Sequence, residues 1–181
     1  MNYQLLDAEE LIYLSIKASN EGRSEEAMIL LKQSLLQVPN QPQALYLLAL
    51  EHAHIGMFER AITEFQQILT MDENMHIARF QLGLLHHSRN AASDANNIWA
   101  PLEGLGEENA LHWFIQGLKK MTEDNQQEAI HLFQQGLLRN HEYTLLNQQI
   151  YSFIQQLTSD NQREDSAIST PMNKNVANMP L

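Results

Sequence analysis

The chain has 181 residues, a formal net charge of −11, 44% apolar residues and no cysteine. That length can bury a real single-domain core, and the apolar fraction excludes a wholly disordered chain. The acidic balance argues against gripping nucleic acid or an anionic membrane through a basic patch. Without cysteine there is no disulfide scaffold, thiol nucleophile or thiolate zinc site. The opening stretch, Met1 to Glu10, lacks a basic n-region and a long apolar h-region, so it is not expected to be a secretory signal. The longest unbroken apolar run, Ala44 to Leu50, is about a third of a membrane span, and the expectation is a soluble, cytoplasmic protein.

Along the chain, Ala27, Ala61, Ala95 and Ala129 stand 34 residues apart. Four residues after each comes a large apolar side chain: Leu31, Phe65, Trp99 and Phe133. Five residues before the first two stands a glycine, Gly22 and Gly56, with Asn90 and Asp124 at the matching places later. A strict period of this length signals supersecondary units stacked on one another. Phasing on the alanines gives an N-terminal extension, 1–7, and four units: 8–41, 42–75, 76–109 and 110–143.

Each unit is expected to open with a helix of about 14 residues, since the apolar residues recur at helical spacing. In the second unit Leu45, Leu48, Ala49 and His52 share one face; a turn at His54-Ile55-Gly56-Met57 follows, then a helix carrying Ala61, Ile62, Phe65, Ile68 and Leu69. The glycine ends the first helix because a C-terminal cap needs a left-handed residue. Asn90 can take that conformation, and Asp124 takes it less well. Pro39-Asn40-Gln41-Pro42 stops one helix and opens the next. The quartet must be small because the two antiparallel helices of a unit are expected to approach most closely there.

Pro101 is expected to end its helix near Trp99 or Ala100, leaving Glu103-Gly104-Leu105-Gly106 as a looser link where the superhelix changes pitch or hinges. After the fourth unit, 144–157 carries Leu146, Ile150, Tyr151, Phe153, Ile154 and Leu157 and reads as a helix capping the last unit. The remainder, 158–181, is polar and is expected to be disordered.

These residues resemble the tetratricopeptide repeat family. Each unit has a small residue early (Ser15, Ala49, Gly83, Gly117), the alanine later and a bulky residue four after it, with Pro39 where the family often has its inter-repeat proline. The resemblance covers residues 8 to about 157. It implies an all-α, tetratricopeptide-type helical-hairpin solenoid, a right-handed superhelix with a C-terminal capping helix. The family's first-helix tryptophan is kept only at Trp113; Leu11, Leu45 and Arg79 replace it elsewhere.

The resemblance also implies that the second, fifth, ninth, twelfth and thirteenth residues of each first helix line a concave groove. The fifth residues are Ile12, Tyr46, Phe80 and Phe114, and the ninth are Ile16, Leu50, Leu84 and Leu118. All eight are apolar, and the two positions lie one helical turn apart. Left in water they would form a strip on the order of several hundred Å², more than a monomer usually exposes without purpose. Aromatic residues at the fifth position suit interface anchors. The competing expectation is that superhelical twist, the tail, the N-terminal segment or a second copy of the chain covers the strip.

The groove so defined offers no cation where some family members grip a C-terminal carboxylate: the matching positions are Ile12, Ile16, Leu47, Ile77 and Gln81, or Tyr46, Leu50, Gln81, Leu111 and Ile115. No two of the eight histidines have the spacing that puts two ligands on one helical face, and His54 with His87 would need further ligands, so no metal site is expected. Glu25-Glu26 and Glu107-Glu108 read as helix-start charges, and Gly104-Leu105-Gly106 lacks the lysine of a phosphate loop. The expectation is a non-enzymatic, cofactor-free adaptor or scaffold that binds an apolar peptide or helix of another protein, one with a basic flank associating faster. The alternatives are a tetratricopeptide-type chaperone for hydrophobic secretion substrates, and a homo-oligomer or regulatory subunit that uses the same strip as an interface.

Overall fold

The computed structural model describes residues 5–168, with side chains as far as residue 159. Within them the chain forms α1 (Ala8–Asn20), α2 (Ser24–Gln37), α3 (Pro42–His54), α4 (Phe58–Met71), α5 (His76–Ser88), α6 (Ala92–Glu103), α7 (Ala110–Thr122), α8 (Gln126–Arg139) and α9 (Leu146–Ile168). No strand interrupts them among the described residues. The first helices of the hairpins thus begin at Ala8, Pro42, His76 and Ala110. Their starts have different local causes. Asp7 caps α1 by accepting from the Glu9 and Glu10 amides at 2.9 and 2.8 Å, while Glu10 accepts from the Asp7 amide at 3.0 Å. Pro42 opens α3 with its φ already set, and Asn109 Oδ1 accepts from the Leu111 amide at 2.9 Å to start α7.

All four hairpin turns use one backbone device. Gly22, Gly56, Asn90 and Asp124 have φ of 74°, 82°, 61° and 58°. In each turn the next amide reaches back to close a six-residue cap: Arg23 to the Ala18 carbonyl (2.9 Å), Met57 to His52 (2.8 Å), Ala91 to His86 (3.0 Å) and Asn125 to Lys120 (3.0 Å). Asp124 therefore makes the same left-handed cap as the glycines, although a Cβ is strained there.

The described residues divide into two compact units, the first ending at Leu102 and the second beginning at Glu103. In the first, helices pack chiefly on the next in the chain, α1 on α2, α2 on α3, α3 on α4 and α4 on α5, with α1 also reaching α3. In the second, α7 packs on α8 and α8 on α9. All four phasing alanines are fully buried, as are Phe65, Trp99 and Phe133; Leu31 is nearly so.

Two expectations about helix ends need correction. The helix containing Pro101 does not stop near Trp99 or Ala100 but continues to Glu103. The proline stands in the last turn, and Leu102 beside it is fully buried, which offsets the hydrogen bond the ring forfeits. Likewise α9 does not end at 157; it runs to Ile168, into the segment expected to be disordered. That stretch contains no glycine or proline. Polar composition bars a core, but it does not stop a helix already anchored by Leu146, Ile150 and Leu157. Residues 169–181 of the expected tail lie outside the described residues.

Candidate functional site

The eight residues expected to line an open groove do not lie open. Ile12, Tyr46, Phe80, Leu84, Phe114 and Leu118 are buried, and only Ile16 and Leu50 keep part of their surface accessible. Of the two competing expectations, burial between neighbouring helices accounts for most of the strip. The cause is visible position by position. Ile12 packs with Leu31 of its own hairpin and with Ala44 and Leu48 of the next. Tyr46 packs with Ala61 and Phe65 of α4 and with Ala78 and Leu82 of α5, its ring 6.0 Å from that of Phe65. The fifth residue of each of these first helices thus sits where three helices meet.

In the later hairpins glycine brings the rings in. A Cβ on Gly83 would collide with the Trp99 indole, so the indole lies on bare α5 backbone. There it stacks on Phe80 at 6.1 Å and donates from Nε1 to the Phe80 carbonyl at 3.0 Å. In the second unit the arrangement is reciprocal: Phe133 covers Gly117 and Phe114 covers Gly136, each ring occupying the space of the missing side chain. Phe153 of α9 then stacks on Phe133 at 5.9 Å.

What remains accessible in the first unit is narrower. Ile16 on α1 and Leu50 on α3 hold equivalent places on two helices that touch. Ile16 borders the Ile12–Leu31–Ala44–Leu48 cluster, and Leu50 borders the cluster around Tyr46 and Phe65. Phe114 and Leu118 belong to the second unit and are interior to it.

Polar groups that the periodicity did not single out lie close to this region. His52 is buried, with Nδ1 2.6 Å from Glu64 Oε2; Glu64 Oε1 accepts from Arg60 Nε at 3.1 Å. Tyr46 shares a side-chain hydrogen bond with Gln81, and burial pushes its phenol well above the ordinary tyrosine range. Arg89, capping α5, pairs with Glu59 of α4 at 2.6 Å. Glu51 is buried with Oε2 unpartnered. One signal for Glu51 was available: it is an acid inside an otherwise apolar stripe, a helical turn from both Leu47 and Ile55. Among the described residues no group of three or more His, Asp or Glu side chains is placed to hold a metal ion. No described helix is long and apolar enough to cross a membrane.

Four antiparallel hairpins on a 34-residue period, closed by the same left-handed cap and sealed by alanine against a bulky side chain, define an all-α repeat fold of the tetratricopeptide type. Solved structures agree on that fold. TTC0263, a thermophilic TPR protein of Thermus thermophilus, is 17% identical over 90% of this chain and 87% of its own, with a TM-score of 0.68. A chain of the APC/C hetero-tetramer Cut9–Hcn1 has the same TM-score at 19% identity, covering 90% of this chain and 32% of that one. MamA from Desulfovibrio magneticus RS-1, from its residue 41 to the end, is 18% identical over 87% of this chain and 97% of its own, with a TM-score of 0.57. No family model and no curated protein matches the sequence.

Proposed function

We propose that this chain is a non-catalytic protein-binding adaptor, and that an apolar segment of its partner lies on the first helices of the first unit against Ile16 and Leu50. The observation that carries this reading is the pair itself. Two branched apolar side chains at equivalent positions on touching helices stay partly accessible, where a purely solvated face would be polar. Tyr46 and Ile12, packed beneath, hold the backbone that presents them. A small contact of this kind suits a reversible scaffold more than an obligate subunit.

The test is crosslinking capture from the native cell with the full chain and with an Ile16→Asp, Leu50→Asp double variant. Captured partners should be lost in the variant while helicity and melting stay close to wild type. An unchanged partner set would remove Ile16 and Leu50 from the binding surface. A folded variant that changes from dimer to monomer by light scattering would instead assign the pair to self-association.

A further inference from the structure

The four hairpin turns share a backbone but not a surface. Three are polar at the tip, with Glu21 and Arg23 in the first, Arg89 in the third and Glu123 in the fourth. The α3–α4 turn has the same cap, with Gly56 at φ 82° and Met57 bonded to the His52 carbonyl, yet it carries Ile55 (44% exposed), Met57 (44%) and Phe58 (42%). Nothing in the cap requires large apolar residues there, because the other three hairpins make it without them, the third with Ala91 and Ala92 at the places of Met57 and Phe58.

One helical turn before Ile55, Glu51 is only 5% exposed and its Oε2 has no hydrogen-bond partner. The equivalent residues elsewhere do not repeat this. Lys17 is exposed, Leu85 is apolar, and Lys119 is paired with Glu103 at 2.6 Å. Two arginines of the adjoining helices are engaged elsewhere, Arg60 with Glu64 and Arg89 with Glu59. This end of α3 therefore has a carboxyl group inside and three large apolar side chains partly in water, the reverse of what solvation favours at a turn. A cover that brings both apolar surface and a positive charge corrects both at once.

We infer that the α3–α4 turn is a docking surface of its own, for a partner-protein segment in which apolar side chains flank a lysine or arginine. The apolar side chains cover Ile55, Met57 and Phe58. The cation completes the Glu51 carboxylate in a charge-assisted hydrogen bond that water-exclusion by the apolar rim strengthens. The chain's net charge of −11 favours the approach of such a partner.

The full chain is tested against an array of synthetic peptides in which leucines flank a central lysine, each also made with arginine, glutamine or glutamate, and the best binders are measured by fluorescence anisotropy. The lysine and arginine peptides should bind on the order of tenfold more tightly than the glutamine versions. Glu51→Gln should bring the lysine peptide down to the glutamine level. Phe58→Ser, at an exposed position that does not threaten the fold, should weaken every version, and Ile16→Asp with Leu50→Asp should change none. The inference is overturned by an array with no binder, by binding indifferent to charge, or by Glu51→Gln leaving the lysine preference intact. Loss of binding only in the Ile16/Leu50 variant would support the first-helix site and refute this one. A dimer that Phe58→Asp disperses would give the turn to a second copy of the chain, which also overturns it.

Discussion

Gly83→Ala is the most demanding test of how the third hairpin is packed. Alanine is the better helix former by about 1 kcal/mol, so on propensity alone the change stabilises α5. The space for the new methyl, however, is taken by the Trp99 indole, a fully buried side chain with no flexible end to yield. Moving the indole overpacks the seam, at about 1–3 kcal/mol. It also breaks the 3.0 Å bond from Trp99 Nε1 to the Phe80 carbonyl and leaves a buried donor unpaired, at about 1–3 kcal/mol more. The balance is a loss of about 1–5 kcal/mol, centred near 3. The chain has two tryptophans, Trp99 and Trp113, so urea unfolding followed by fluorescence in a Trp113→Phe background reports on Trp99 alone. With an m-value of about 1–3 kcal/mol per molar, the midpoint should fall by about 1 M or more. An unchanged or higher midpoint would show that propensity wins, and that the indole does not rest on Gly83.

Two further outcomes follow from the turns and the core. Asp124→Ala should cost about 1 kcal/mol, because alanine cannot relieve a left-handed φ of 58°, whereas Asp124→Gly should cost nothing or stabilise; thermal melts of the pair decide it. Burial raises the phenol pKa of Tyr46, and of Tyr143 together with its neighbour Glu142. Raised folded values mean full stability below the unfolded tyrosine pKa of about 10 and progressive loss above it. Urea midpoints taken from pH 8 to 11 should therefore decline, and a Tyr46→Phe, Tyr143→Phe variant should flatten that decline.

The period was legible because it is written in positions that admit few residue types. A fully buried alanine at the closest approach and a left-handed residue at the cap are each demanded by backbone geometry, so phasing on them locates hairpins and turns. The accessible face was not legible from the same ruler. Helical angles say which way a Cα–Cβ bond points, but they do not say how far a ring reaches or how near the next helix lies. Tyr46, Phe80 and Phe114 start at the groove-side angle and still end in the seams. Gly136 explains one of them: its missing side chain on α8 makes room for the Phe114 ring of α7. The glycines at 83 and 117 read correctly as small positions, but their consequence for the opposing ring is a property of the pair. Glu51 was hidden for another reason. Its oddity lies in having no partner, and a partner's absence is visible only once the neighbouring helices are placed.

The order in which the helices touch bears on how the chain acquires its structure. In each unit the well-packed helix pairs are nearly all consecutive in the chain, with α1 and α3 the modest exception. Ring closures are then short, and the entropy lost in closing them is small. Topologies of this sort fold in about microseconds to milliseconds, and among the described residues no long-range strand pairing is there to delay them. A hairpin can form as it leaves the ribosome and wait for the next to settle on it. The same economy of reach limits damage, since a substitution that loosens one hairpin disturbs its immediate neighbours and leaves more distant ones to hold.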